Sequence, residues 1–360
     1  MSTEKQRDSS DLERAAALVQ PHVAAMRGYV PGEQPDAETF VKLNTNENPY
    51  PPSAGVRDAI ARACEDLVLY PDPSSREVRE CAAELYGVEA DGVLVGNGSD
   101  ELLSILVRAT VAPGQGVAYP VPTYSLYDTL VALQGARAVH VPFGPDFDLP
   151  VALETADARL VFLCNPNAPS GTMIPVPRLE EFAHRREDVV VVIDEAYVDF
   201  AEENALGLVG RLPNVVVLRT LSKSYSLAGL RVGLALTSVA LASELHKVRD
   251  SYNVSRIAQA GALAAMRDQS AMRSHVRAVK ATRARLIGAL GEIGYEVQPS
   301  QTNFVLARRR GKDLRPVVAG LRERRILVRY FSELPDAMRI SIGTDAQIDA
   351  FLAALGELSR

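Results

Sequence analysis

Lysine is scarce in this chain, six residues against 33 arginines, so a lysine beside an apolar run invites a chemical reason. Lys223 stands in TLSKSYSLAGLRVG, behind Ser222 and directly after the run VVVLR, with Arg231 closing the segment. The end of a sheet strand is where layered α/β chains build their sites. An ammonium withdrawn from water, or set beside other cations, sheds its proton more readily than a guanidinium and becomes a nucleophile for aldehydes. VVVVIDEAYVDF places Asp194 at the end of a second apolar run, with Tyr197 one turn on. A buried carboxylate needs a cationic partner. A protonated pyridine nitrogen is one, and Tyr197 could then bond a ring oxygen; a cap on the following turn is the competing reading of Asp194. LVFLCNPNAPSG sets Asn165 at the mouth of a third strand, where plain turn chemistry competes. VLVGNGSDELLSIL reads as strand, glycine turn and helix, with Ser99, Asp100 and Glu101 in the first helical turn. Free backbone N–H groups and the positive helix end make a phosphate cradle there, whether or not Ser99 also caps the helix. PVPTYSLY puts Tyr124 at a helix start, where its ring could cover a flat cofactor or simply be half-buried. An amine for an aldehyde, an anion for a pyridinium, a phosphate cradle and an aromatic lid together describe pyridoxal 5′-phosphate (PLP).

The elements that must position these groups follow from periodicity. Amphipathic stretches at 54–67, 75–86, 99–111, 124–134 and 178–186 alternate with the short apolar runs VLVG, GVAY, ARAVHV, RLVFLC, VVVVID, VVVLR and RVGLAL. Such alternation marks an α/β layer structure around a mostly parallel sheet. VVVVID, apolar at nearly every position, reads as a strand buried on both faces. Residues 1–11 read as a solvated tail, Asp11 as a cap for a helix from Leu12, and Pro21 as its interruption or end. Gly28 to Pro52, rich in proline, reads as an extended connector. From 238 to 294 the chain is helical, with Gly294 as a stop. TNFVLA, a helix at 313–324, ILVRYF, AMRISIG and a helix from Asp345 then form an α+β unit. Three parts are expected: residues 12–45 joining a small domain, 46–250 as a large PLP-binding domain, and 251–360 as the small domain.

Composition narrows the field. At 360 residues, 47% apolar and 23% charged, the chain has ordinary globular usage and length for two domains. A net charge of −6 argues against a nucleic-acid surface, which wants a basic face. Cys64, Cys81 and Cys164 are widely separated and fall in no CxxC pattern, so neither a disulfide framework nor a cysteine zinc site is expected, and no other metal site is. The polar opening MSTEKQRDSSDLER and the lack of a long apolar run lead to the expectation of a cytoplasmic, uncleaved protein without a membrane partner. HExxH, GxSxG, GxxxxGK and a complete GxGxxG are all missing from the sequence, which removes the main signs of zincins, serine hydrolases, P-loop enzymes and Rossmann dehydrogenases.

With YVPGE, KLNTNENPYPPS, YPDP, SKSYSLAGLRVG, DEAY, ILVRYF and MRISIGT in place, the chain resembles fold-type I PLP aminotransferases, and within them the histidinol-phosphate aminotransferases, over nearly its whole length. The resemblance implies a large domain on a mostly parallel seven-stranded sheet, a smaller α+β domain and a homodimer. It implies that Lys223 carries PLP and shuttles the proton. Asp194 is implied to pair with the pyridine nitrogen, and Asn165 and Tyr197 to bond the ring's phenolic oxygen. Ser222, Arg231, Ser99 and the backbone at Asp100 and Glu101 are implied to take the cofactor phosphate, Tyr70 to reach that phosphate from the other subunit, and Tyr124 to cover the ring. Arg339 is implied to clamp an acidic group of the substrate, with Tyr29 and Arg329 on its phosphate and Asn303 beside them; a surface charge is the competing reading of Arg329. NPNAPSG stands where such enzymes more often read NPNNPTG, which keeps Asn165 but changes the turn after it. The activity implied is amino transfer between histidinol phosphate or imidazolylacetol phosphate and glutamate or 2-oxoglutarate, as in histidine biosynthesis. An aromatic amino acid aminotransferase is the close alternative, and a phosphothreonine decarboxylase a more distant one.

Overall fold

The structure, a computed structural model, describes residues 11, 14–26, 28–29, 32–34 and 39–358. Residues 1–10 of the expected tail, and 12 and 13 of the expected N-terminal helix, lie outside these; residues 14–16 are helical, the chain turns over 17–20, and Pro21 opens a separate five-residue helix, Pro21–Ala25, so the expected interruption falls just before the proline.

Seven strands form the larger sheet: β2 (Val93–Asn97), β3 (Gly116–Val121), β4 (Arg137–Pro142), β5 (Leu160–Cys164), β6 (Val190–Asp194), β7 (Val215–Thr220) and β8 (Val232–Leu236). Their order is β2-β8-β7-β6-β5-β3-β4. Pairing is parallel from β4 through β7, and β8 runs antiparallel to both of its neighbours. The uninterrupted apolar runs have a direct cause. Val191 and Ile193 of β6 enter one core with Leu163 and Val217, whereas Val192 enters the opposite core with Phe162 and Leu218. Side chains alternate along a strand, so a strand covered on both faces must be apolar at every position. Each such buried aliphatic side chain contributes about 1.5–3 kcal/mol. Polar residues return only at the carboxyl ends, where Asp194 closes β6 and Thr220 closes β7.

A second sheet comprises β1 (Val41–Leu43), β9 (Glu296–Val297), β10 (Phe304–Arg308), β11 (Ile326–Tyr330) and β12 (Ala337–Ser341). Its order is β1-β11-β12-β10-β9. The chain before the large sheet joins it through β1, which pairs parallel to β11. A third core lies beneath, where Leu43, Val305 and Ile340 meet Leu286 and Leu290 of the Gln269–Glu292 helix and Phe351 of the Asp345–Leu358 helix.

The helical stretch after residue 238 divides into Val239–His246, Arg256–Arg267 and Gln269–Glu292. Ala258, Ala262, Ala265 and Met266 of the middle helix pack into the large-sheet core with Val56. The expected division at residue 250 therefore does not follow the packing, which changes partner near Asp268, the cap of the long helix. Small alanines let the middle helix lie close on the Ala54–Ala63 helix, an association that helical periodicity alone does not reveal. Among the described residues no helix is long and apolar enough to cross a membrane, and no group of three or more His, Cys, Asp or Glu could hold a metal.

Candidate active site

A cavity of about 570 Å³ opens where the carboxyl ends of β5, β6 and β7 face the smaller sheet. Lys223, Asp194, Tyr197, Ser222, Ser99, Asp100, Tyr124 and Arg231 line it from the large-sheet side, and Tyr29, Arg329 and Arg339 from the other. Segments spread over more than 300 residues of chain thus converge because parallel strands end at one edge, the usual place for a site in an open α/β sheet.

Asp194 is buried, 3% exposed. Its Oδ2 accepts from the Tyr127 hydroxyl at 2.8 Å and its Oδ1 from the Ala196 N–H at 3.2 Å. Burial pushes its pKa up to about 6, against the lowering effect of those two donors and of Lys223. A carboxylate so placed gains from a cation brought within reach, and the turn-cap reading accounts for only one of its two oxygens. Lys223 occupies the turn after β7, with Nζ 3.5 Å from the Thr45 carbonyl and 5.7 Å from the centre of the Tyr197 ring. Burial and the nearby Arg339 guanidinium bring its pKa down to about 8, opposed by Glu47 and Asp100, with Arg231 adding to the fall. Near neutrality a real fraction of this amine is therefore uncharged. Tyr197 accepts from Asn46 Nδ2 at 3.0 Å, and burial pushes its hydroxyl up to about 12, so it remains a donor.

The phosphate-cradle geometry rests on two glycines. Gly98 adopts φ +78° at the start of the Gly98–Thr110 helix, and a Cβ there would lie 2.6 Å from an Arg231 guanidinium nitrogen. A Cβ on Gly233 would lie 2.5 Å from the Ser99 nitrogen. Glycine at both positions lets the helix start, β8 and Arg231 close on one spot. Arg231 pairs with Asp100 Oδ2 at 2.8 Å, and the Tyr124 hydroxyl donates to Asp100 Oδ1 at 3.2 Å. The Asp100 side chain thus holds both Arg231 and Tyr124, a role hidden in a sequence that suggests only a helix start. Tyr29 meets Tyr124 edge to face at 6.2 Å.

At the other end, Arg329 on β11 and Arg339 on β12 are directly paired across the strands. Like charges in that register repel. The Arg339 guanidinium lies 5.1 Å from the Phe304 ring centre and 5.6 Å from that of Phe331, and one nitrogen donates to the Asn44 carbonyl at 3.1 Å. Its Nε has no partner among the described residues. Burial, with Arg329 adding to it, lowers the Arg339 pKa. Two arginines set against each other at the wall of a cavity present two cations to whatever enters it.

Two expectations change, those for Asn165 and Asn303. Asn165 does not reach the cavity: its amide donates to the Ile174 carbonyl at 3.0 Å and accepts from the Ile174 N–H at 2.7 Å, closing the loop after β5. Ala168 and Pro169 form the cavity wall instead. The Glu101 carboxylate accepts from the Asn97 N–H and from Asn253 Nδ2, which leaves the part expected of its backbone untouched. Asn303 lies behind the wall, donating to the Asn46 carbonyl at 2.9 Å and so supporting the residue that bonds Tyr197. Tyr70 is 77% exposed and stacks on Tyr252, 4.6 Å between centres, outside the cavity of its own chain, as a residue expected to act from another subunit would be.

Sequence reading missed Tyr127, Asn46 and Glu47. Tyr127 stands in the first turn of the Leu126–Leu133 helix, which begins two residues after Tyr124; the second tyrosine in the same short segment was the available sign. Asn46, at φ +59°, holds a left-handed conformation that asparagine tolerates. Glu47 lines the cavity and is bonded by Lys42 and Thr45; burial works to raise its pKa, but those two donors hold it below the ordinary carboxylate value.

The residues fit PLP. A buried carboxylate, an amine of lowered pKa and a glycine-built helix start with Ser99, Ser222 and Arg231 match in type the three ends of that molecule.

Residues 38–355 match the aminotransferase class I and II family. A histidinol-phosphate aminotransferase of Synechocystis is 45% identical over 342 residues, covering 94% of this chain and 98% of the relative. One from Citrifermentans bemidjiense is 47% identical, covering 94% and 97%. The crystal structure of histidinol-phosphate aminotransferase from Sinorhizobium meliloti in complex with pyridoxal-5′-phosphate superimposes with a TM-score of 0.83 at 33% identity, over 89% of this chain and 90% of that one. The chain belongs to the aminotransferase class I and II family.

Proposed function

We propose that this protein is a PLP-dependent transaminase that moves the amino group between histidinol phosphate and 2-oxoglutarate, forming imidazolylacetol phosphate and glutamate. The observation that carries the reading is the cross-strand pair Arg329 and Arg339 facing Lys223 within one cavity. A phosphate ester offers several acceptor oxygens to guanidinium donors, and charge-assisted hydrogen bonds of this kind contribute about 1.5–3 kcal/mol each. The names of the relatives at 45–47% identity support the same substrate.

When bound, PLP supplies an electrophilic carbon and a ring that accepts electrons from the bond being broken. Lys223 would hold it through Nζ, and the same amine would take and return the substrate proton, for which a pKa near the working pH is suited. Asp194, steadied by Tyr127, holds the ring nitrogen protonated. Tyr197, itself bonded by Asn46, donates to the phenolic oxygen. Ser99, Ser222, Arg231 and the backbone N–H of Asp100 hold the cofactor phosphate, and Tyr124 covers the ring. Arg339 clamps an acidic group of either substrate, while Arg329 and Tyr29 bind the phosphate. Tyr70 extends toward the cavity of a second copy. The exposed apolar residues Leu67, Val68 and Leu69 beside it support a homodimer, and the two sheets with their separate cores support a division into a large PLP domain and a small one.

Turnover of histidinol phosphate and of phenylalanine, each with 2-oxoglutarate, tests this. Histidinol phosphate should be strongly preferred, with strict need for the oxo acid and no release of CO2. A preference for phenylalanine would point to an aromatic aminotransferase, and CO2 release to a decarboxylase.

A further inference from the structure

Asp194 and Lys223 sit at the end of β6 and in the turn after its neighbour β7, and their side chains bond to other partners rather than to each other. The residues immediately after them, Glu195 and Ser224, point away from the cavity and enter one buried ion cluster. Arg219, on β7 and 5% exposed, lies at its centre. Its Nε is 2.8 Å from Glu195 Oε2, an ion pair in which neither atom has a hydrogen bond among the described residues, and another guanidinium nitrogen donates to Asp199 Oδ1 at 3.1 Å. The second oxygen of Asp199 accepts from the Ser224 hydroxyl. Glu195, 1% exposed, also accepts from the Ala205 N–H. The Arg219 guanidinium rests on the Tyr86 ring, 5.1 Å to its centre. Arg219 itself is not among the residues lining the cavity.

Stability alone is a poor reason for this cluster. Taking three ions out of water carries a desolvation penalty that their attraction recovers only in part, and apolar residues of similar volume commonly do as well or better. The positions preceding Arg219 on β7 are Val and Leu throughout. What apolar packing cannot supply is a tie between charges, and Arg219 supplies one on each side: a directed hydrogen bond to Asp199 and an ion pair with Glu195.

We propose that Arg219 is a positioning residue that, through Glu195 on one side and Asp199 with Ser224 on the other, fixes Asp194 and Lys223 relative to each other. Asn48 Nδ2 also holds this turn, donating to the Lys223 and Ser224 carbonyls at 3.0 and 3.2 Å. The hydroxyl link of Ser224 adds direction to that hold. The inference rests on the reading of Asp194 and Lys223 as the groups that carry PLP.

The test uses the PLP-loaded enzyme, with Ser224→Ala, Arg219→Met and Lys223→Ala compared for kcat, KM, thermal midpoint and visible circular dichroism of the bound cofactor. Ser224→Ala, which leaves the ion pairs intact, should keep its thermal midpoint and its KM for the amino donor, lose about tenfold in kcat and change its visible dichroism, because small misplacements of reacting groups are costly. Arg219→Met should lose more in kcat, with the same kind of dichroic change. Wild-type kcat and dichroism in Ser224→Ala would overturn the proposal, as would an Arg219→Met protein whose only defect is a lower thermal midpoint. Lys223→Ala separates the two readings: if it retains wild-type turnover, the assignment of the site fails rather than the role of Arg219.

Discussion

The two ends of the cavity are held in opposite ways. At the large-sheet end the reactive groups arrive already partnered: Asp194 by Tyr127 and Ala196, Tyr197 by Asn46, and Arg231 by Asp100. At the small-sheet end Arg329 opposes Arg339 across the strands, and Arg339 Nε goes without a partner among the described residues. The first end is preorganised, so substitutions there should act on the chemical step. The second stores repulsion that an anion relieves, so substitutions there should act on substrate choice.

The largest effect should come from Lys223→Ala, which is expected to retain PLP without a covalent bond and to lose turnover by several powers of ten, each about 1.4 kcal/mol of barrier. Borohydride reduction of the wild-type protein followed by peptide mass spectrometry should find the label on Lys223; a label on Lys247 would dissolve the comparison. Asp194→Asn comes next. Similar in volume but neutral, it should slow single-turnover half-reactions at least about a hundredfold while the thermal midpoint barely moves. Near-normal rates would mean that the carboxylate serves only its turn.

The arginines sharpen the contrast. Arg339→Ala should damage both half-reactions, because glutamate and histidinol phosphate both bring an anion to it. Arg329→Ala and Tyr29→Phe should weaken histidinol phosphate by about 1.5–3 kcal/mol per lost bond and glutamate by less, as read in pre-steady-state half-reactions. Equal losses for both substrates would remove the division of labour between the two residues.

Proton chemistry links the ends. Covalent capture of PLP by the apo-protein requires the neutral amine, so its rate should rise with pH through about 8, the value to which burial and Arg339 bring Lys223. A neighbouring cation lowers an ammonium pKa, so Arg339→Met should move that midpoint upward in stopped-flow absorbance. The smallest effect is expected from Tyr127→Phe. Loss of one donor to Asp194 removes about 1 kcal/mol and raises that carboxyl's pKa further, since the bond favours the charged form, giving a several-fold rate loss greatest toward low pH.

Much of this architecture was legible without coordinates. Short continuous apolar runs rich in valine read as strands covered on both faces, and the residues at which apolarity breaks, Asp194 and Thr220 with Ser222 and Lys223, mark the end of the sheet where a cavity forms. Local pattern carries such information because strand burial and helix starts are set by neighbours in sequence. Side-chain direction is not set that way. Asn165 and Ala168 share one loop, and only the folded chain decided that the amide turns inward to Ile174 while the methyl faces the cavity. Asn303 and Asn46, 257 residues apart, became partners for the same reason. The pairing of Arg329 with Arg339 is a matter of strand register, and the tie from Glu195 through Arg219 and Asp199 to Ser224 exists because three segments close on one buried volume. The sequence determined which residue types were available and where strands end; packing decided which polar atoms were spent on holding the fold and which were left facing the cavity, because each buried donor or acceptor must find its partner in three dimensions.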